Sequence, residues 1–123
     1  MTIADADVLI DFLHGKGEAG RVEDLLRRGA LRTTVIARFE LLSGTKTPKQ
    51  AATVLQLLDA VPALALDVPA ADAASGIRKS LEKMGEGIGM ADSLIAGIVT
   101  TNGGILLTRN HRHFERVPGL KLA

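Results

Sequence analysis

Short apolar runs alternate along this chain with longer segments whose apolar residues recur every three or four positions. Thr2-Ile3-Ala4, Leu31-Arg32-Thr33-Thr34, Leu64-Ala65-Leu66 and Ile105-Leu106-Leu107 are too short for helices and predict strands, with Leu120-Lys121-Leu122 as a fifth. Between them lie helical patterns. Val8 to Leu13 predicts a short apolar helix closed by Gly15 and Gly17. Glu18 to Arg28 carries Val22, Leu25 and Leu26 on one face, and Gly29 ends it. Thr34 caps a helix over Val35–Ser43, with Val35, Ile36, Phe39 and Leu42 expected inward and Gly44 past its end. Pro48 opens a helix over Lys49–Asp59, with Ala51, Val54, Leu55 and Leu58 on its apolar face. Pro69 starts another that runs to about Met84, with Ala70, Ala73, Ala74, Ile77 and Leu81 inward. After a loop with Gly85, Gly87 and Gly89, residues Ile88–Val99 are apolar almost all round, which marks a helix buried on several sides. Asn102-Gly103-Gly104 turns the chain into the fourth strand, and a short turn after Asn110 carries Phe114. Strand and helix in alternation predict an α/β fold, a parallel sheet with helices on both faces.

The totals narrow this picture. At 123 residues and 46% hydrophobic, the chain suits one globular domain over residues 1–123, with no internal repeat or linker. It has no Cys, so neither a disulfide framework nor a thiolate metal site is possible. Asp or Gly interrupts every apolar run well before 18 residues, so no membrane span is expected. No basic region followed by an apolar one stands at the N-terminus, and a cytoplasmic location is the expectation. The net charge of +1 says little, but the last fifteen residues hold Arg109, His111, Arg112, His113, Arg116 and Lys121 against Glu115 alone. Arg27, Arg28 and Arg32 form a second basic group. Such clusters suit either a solvated face or a polyanion held through its phosphates. With no Trp or Tyr and three Phe, base stacking on an aromatic platform is not expected.

One residue breaks the apolar pattern of the Ile88–Val99 helix. Asp92 lies near its start, where an ionised carboxylate needs a helix N-terminus, a cation or a metal to be tolerated. In an open parallel sheet, ligands gather beyond the C-terminal ends of the strands. Asp5 ends the first strand and Asn110 follows the fourth. Asp92 starts the helix that feeds the fourth strand, and Glu40, one turn after Ile36, is expected to lean toward the buried side. These four groups can meet on one rim, where a hard divalent cation would relieve the repulsion of the carboxylates. Such a metal polarises phosphate and lowers the pKa of bound water. Plainer roles are open beside this one: Asp7 as a helix cap, Asp11 and Asp67 as exposed or capping residues, His111 and His113 as surface residues.

Four segments carry a family resemblance. Asp5-Ala-Asp-Val-Leu-Ile-Asp-Phe-Leu13 resembles the opening motif of PIN-domain ribonucleases, specifically VapC-type toxins of toxin–antitoxin pairs. Arg38-Phe-Glu-Leu-Leu-Ser-Gly44 is similar to the second acidic motif, Ile88-Gly-Met-Ala-Asp-Ser-Leu-Ile-Ala96 to the third, and Leu107 to Leu120 to the closing segment. The resemblance runs nearly the full length, in order. It implies a PIN-like three-layer fold with a short, mostly parallel central sheet flanked by helices. It also implies an endoribonuclease dependent on Mg²⁺ or Mn²⁺, in which a metal-activated water attacks an RNA phosphodiester. Carried over to this chain, the catalytic set is Asp5, Glu40, Asp92 and Asn110, with Asp5, Asp92 and Glu40 as the metal ligands. A homodimer and inhibition by a cognate antitoxin are implied as well. The fourth family position, often Asp, is Asn110 here, and an amide offers a metal oxygen without charge. Arg109, Arg112 and Arg116 flank it and are expected to contact RNA.

Two other readings stand beside this one. Asp5-Ala-Asp7-Val also reads like the nucleophile loop of haloacid-dehalogenase-type phosphatases, although no later acidic pair in their spacing follows. A PIN-like module that binds RNA or a partner without cleaving is the other, kept open by Asn110.

Overall fold

The structure, a computed structural model, describes residues 1–123. It has five strands: β1 (Thr2–Ala4), β2 (Leu31–Thr34), β3 (Ala63–Leu64), β4 (Ile105–Leu107) and β5 (Lys121–Leu122). Seven helices connect and flank them: α1 (Ala6–His14), α2 (Ala19–Arg27), α3 (Val35–Ser43), α4 (Pro48–Asp59), α5 (Val68–Lys83), α6 (Met90–Thr101) and α7 (His111–Phe114). The strands form one sheet in the order β3-β2-β1-β4-β5, and every pairing is parallel. The α/β fold is therefore the predicted one, with a sheet that is wholly parallel.

Alternation along the strands divides the core in two, because successive side chains point to opposite faces. Ala4 and Leu107 join Val8, Leu9, Val22, Leu25, Leu57 and Leu58 on the α1, α2 and α4 side. Ile3 and Leu106 join Leu81, Ile95, Ala96, Val99 and Phe114 on the α5, α6 and α7 side. On that second side α5 and α6 cross closely. A Cβ at Gly97 would stand 2.5 Å from the Ala70 carbonyl oxygen, so the crossing requires glycine there.

Several boundaries differ from the periodic pattern. The third strand is Ala63–Leu64 and not 64–66, and α1 starts at Ala6 because Asp5 supplies its cap. Helix α6 starts at Met90 after Gly89, and the turn carrying Phe114 is itself a short helix. Two inward assignments fail. Phe39 is 67% exposed and Leu55 is 39% exposed. Helix α3 is apolar on nearly every side, so its period alone cannot choose a face; the packing selects Ala37 and Leu41. In α4 the buried residues are Val54, Leu57 and Leu58.

Candidate active site at the switch point of the sheet

From β1 the chain builds outward first through β2 and β3, then returns to the other side through β4 and β5. The strand order reverses between β1 and β4, and the crevice beyond their C-terminal ends is where such sheets bind ligands. Asp5 directly follows β1, and Thr108 directly follows β4. The ladder closes with the Asp5 N–H donating to the Leu107 carbonyl at 2.9 Å. Beyond that bond, side chains take over.

Asp5 is the N-cap of α1: its Oδ1 accepts the Ala6 N–H at 2.8 Å, and its Oδ2 accepts the Thr108 hydroxyl at 2.8 Å. It is 8% exposed, and burial, followed by the negative charge of Asp7, pushes its pKa from 3.8 to about 6. Glu40 adds to the rise, whereas the Thr108 and Ala6 hydrogen bonds oppose it. The capping role expected for Asp7 thus belongs to Asp5. Asp7, in the first turn of α1, has a different task. Its Oδ2 accepts the Arg109 N–H at 3.0 Å and lies 3.3 Å from the Thr108 hydroxyl, while its Oδ1 is buried with no hydrogen-bond partner. The Thr108 hydroxyl has one proton for two carboxylates and itself accepts the Asn110 N–H at 3.0 Å.

Glu40 comes from α3. It is exposed, not buried as the pattern suggested, because Ala37 and Leu41 take the inward positions. Partial burial of its carboxyl, then Asp92 and Asp7, raise its pKa above the usual glutamate value. Asp92 lies in the first turn of α6, where the helix N-terminus favours its charge. It is 23% exposed and meets His113 Nδ1 at 3.1 Å. The same ring nitrogen lies 3.0 Å from the Asn110 side-chain nitrogen. A protonated Nδ1 donates to Asp92; an unprotonated one accepts from the Asn110 amide and leaves Asp92 without that donor. His113 is therefore part of the site and not a detached surface residue. Asn110 reaches Asp92 only through it.

Asp5, Asp7, Glu40 and Asp92 thus share one rim, close enough for their charges to raise the pKa values of Asp5 and Glu40. No three acidic or imidazole side chains already form a metal cage. The donor set nevertheless fits a hard cation: all oxygen, mutually repelling, with one buried carboxylate oxygen lacking any donor. Mg²⁺ in particular is commonly held by one or two carboxylates plus water and substrate phosphate.

Of the three arginines expected at RNA, Arg112 is exposed and Arg116 half-buried. The Arg109 side chain is 54% exposed, but it also pairs within the protein: its Nε lies 3.2 Å from Asp11 Oδ2. Asp11, expected to be exposed or a cap, is 1% exposed. Beside Glu40, a groove of about 450 Å³ opens between α1, α3 and α4, lined by Ile10, Leu13, Leu41, Lys49 and Val54 among others.

Sequence reasoning alone does not assign Asp7, Thr108 and His113 to the site. The Asp-x-Asp spacing, the hydroxyl closing β4 and the Asn-x-x-His spacing of one helical turn are the signals that point to them.

Residues 2–120 match the family model described as the PIN domain. The tRNA(fMet)-specific endonuclease VapC of Shigella flexneri is 29% identical over 121 residues, covering 95% of this chain and 92% of that one. The DNA-bound VapBC complex of Salmonella typhimurium superposes with a TM-score of 0.84 at 26% identity, over 99% of this chain and 96% of that one. VapBC2 of Rickettsia felis, bound to a promoter DNA fragment, gives a TM-score of 0.85 at 22% identity over 99% and 96% of the two chains. A family match over nearly the whole chain, on the predicted sheet and around the predicted acids, excludes the dehalogenase reading: the chain belongs to the PIN domain family.

Proposed function

We propose that this protein is a metal-dependent endoribonuclease, the toxin of a toxin–antitoxin pair. The observation that carries the reading is the rim at the switch point, where Asp5, Asp7, Glu40 and Asp92 converge and one buried oxygen lacks a donor. Asp5 and Asp92 would hold Mg²⁺ or Mn²⁺, with Glu40 touching it directly or through water. Asp7 adds a fourth carboxylate. When bound, such an ion polarises the scissile phosphate and lowers the pKa of water. The chain's own residues do the rest. Thr108 and the Ala6 N–H fix the Asp5 carboxylate, and His113 orients Asp92. Arg112 and Arg116 bring cationic charge to the phosphates. Asn110 would supply an amide oxygen and no charge.

The antitoxin lies in the groove between α1, α3 and α4 and places an Arg among Asp5, Glu40 and Asp92, where a guanidinium binds carboxylate bidentately. Solved structures of similar fold are VapBC complexes, which supports an antitoxin as the partner. Two copies of the chain pair as a homodimer, to be checked by sedimentation.

The test is cleavage of RNA with Mn²⁺, set against an Asp92→Asn control. The Shigella relative is named for tRNA(fMet), so a tRNA is the first substrate to try. New 5′ ends that need both the metal and Asp92 are expected. Binding without cleavage would favour the non-cleaving module.

A further inference from the structure

Helix α1 carries a third carboxylate that the metal site does not use. Asp11 lies four residues after Asp7, on the same side of the helix, and its side chain is 1% exposed. A buried carboxylate without partners is costly, so its contacts define its role. Asp11 Oδ2 accepts the Glu18 N–H at 3.1 Å and pairs with Arg109 Nε at 3.2 Å. Gly17, with φ +54°, packs so closely on this carboxylate that a Cβ would collide with it.

The three acids of α1 therefore bind consecutive parts of one turn. Asp5 takes the Thr108 hydroxyl, Asp7 the Arg109 N–H, and Asp11 the Arg109 side chain. The sheet ladder stops at Leu107, and the next anchor is the buried Phe114 in α7. Between these points lie Thr108, which holds Asp5, and Asn110, which meets His113. We propose that Asp11 is a positioning residue: through Arg109 it straps the 108–110 turn to α1 and so sets Thr108 and Asn110 in the site. Arg109, although its side chain is 54% exposed, then acts on the protein's own turn and not as an RNA contact. This rests on the nuclease reading only for its effect on cleavage.

The experiment compares the unmodified protein with Asp11→Asn, Arg109→Gln, Arg109→Lys and the Asp11→Asn/Arg109→Gln double variant. Three quantities are read: cleavage of a tRNA with Mn²⁺ at saturating and limiting RNA, the salt dependence of RNA binding, and hydrogen exchange at the Arg109 amide. Small misplacements of catalytic groups cost up to about a hundredfold, so each single variant should lose roughly ten- to a hundredfold at saturating RNA, with KM little changed. The double variant should be no slower than the slower single one, because the two residues act as a unit. Arg109→Lys should recover part of the loss, and the Arg109 amide should exchange faster in Asp11→Asn. The salt slope should stay as it is.

An Arg109→Gln variant with normal cleavage at saturating RNA, raised KM and a salt slope flatter by about 0.7 would make Arg109 an RNA contact and overturn the strap. Additive losses would overturn it too. If the unmodified protein does not cleave, the nuclease reading fails, and amide exchange alone decides: faster exchange in Asp11→Asn upholds the strap, unchanged exchange removes it. Should Asp11→Asn fail to fold, Arg109→Gln against Arg109→Lys decides, with equal cleavage rates overturning the proposal.

Discussion

The two halves of the rim are built differently. On the α1 side, Asp5, Asp7 and Asp11 together accept the Ala6, Arg109 and Glu18 N–H groups and the Thr108 hydroxyl, and Asp11 also forms an ion pair with the Arg109 guanidinium. On the α6 side, Asp92 has His113 as its partner, His113 is half exposed, and Glu40 stands in solvent on a different helix. One half is fixed by donors from the turn after β4 and from the N-terminal ends of α1 and α2. The other is held by one contact whose direction depends on a ring proton. The first half is thus the rigid one by number of contacts and the second the soft one.

The largest effect should come from removing a carboxylate from either half. Asp5→Asn or Asp92→Asn should lower metal-dependent RNA cleavage by roughly a thousandfold, the scale of several kcal/mol of lost metal assistance. Both variants should stay folded by circular dichroism. Equal loss on the two sides would show that the soft half is no less necessary than the rigid one; full cleavage by either would remove that residue from the mechanism.

Next in size is the pH dependence of stability without metal, to which Asp5 in the rigid half should contribute alongside Glu40, whose pKa is also raised. Asp5 has a pKa of 3.8 in the unfolded chain and about 6 in the fold, so the native state holds more protons between these values. Its stability contribution is therefore intact below about 4 and is lost as pH rises through about 6, by at most about 3 kcal/mol. Thermal unfolding in a chelator from pH 4 to 7.5 should show this decline, and Asp5→Asn should flatten it. Mn²⁺ should restore stability at the upper end, where the carboxylate is ionised.

Asp7→Asn sharpens the comparison. The amide oxygen can still accept the Arg109 N–H, but the charge is gone. Calorimetry with Mn²⁺ should show affinity falling by roughly tenfold. An unchanged affinity would return Asp7 to a purely structural role in the turn.

The smallest effect belongs to the exposed cations. Arg112→Ala with Arg116→Ala should flatten the salt dependence of RNA binding by about 0.7 for each phosphate that is no longer neutralised. Fluorescence anisotropy across a salt series measures this directly, and an unchanged slope would leave both as solvated surface.

Much of this is legible in the chain. The strand–helix alternation predicts the parallel sheet, and Thr34 and Asp67 cap the helices they precede. Asp5 and Asp92 stand out as acids in apolar company, and both lie on the rim. The failures share a cause. Phe39, Glu40 and Leu55 sit on helices whose apolar residues surround most of the axis, so no local period distinguishes the packed face. Asp11 reads as an exposed residue in the sequence because the arginine that pairs with it is distant along the chain.

Local spacing by itself determined which segments are strands and helices, and which strand ends bring their polar groups to the rim. Both follow from short-range backbone and hydrophobic preferences that any window of the chain displays. Only the tertiary structure decided which donor each carboxylate receives. The Thr108 hydroxyl reaches Asp5 across 103 residues, the Arg109 amide reaches Asp7 across 102, and His113 reaches Asp92 across 21. The first two partners are set by the parallel register of β1 against β4, which places Ala4 opposite Leu107, and the third by the packing of α7 on α6. Register depends on how two faces of a sheet pack at once, and neither strand encodes it alone.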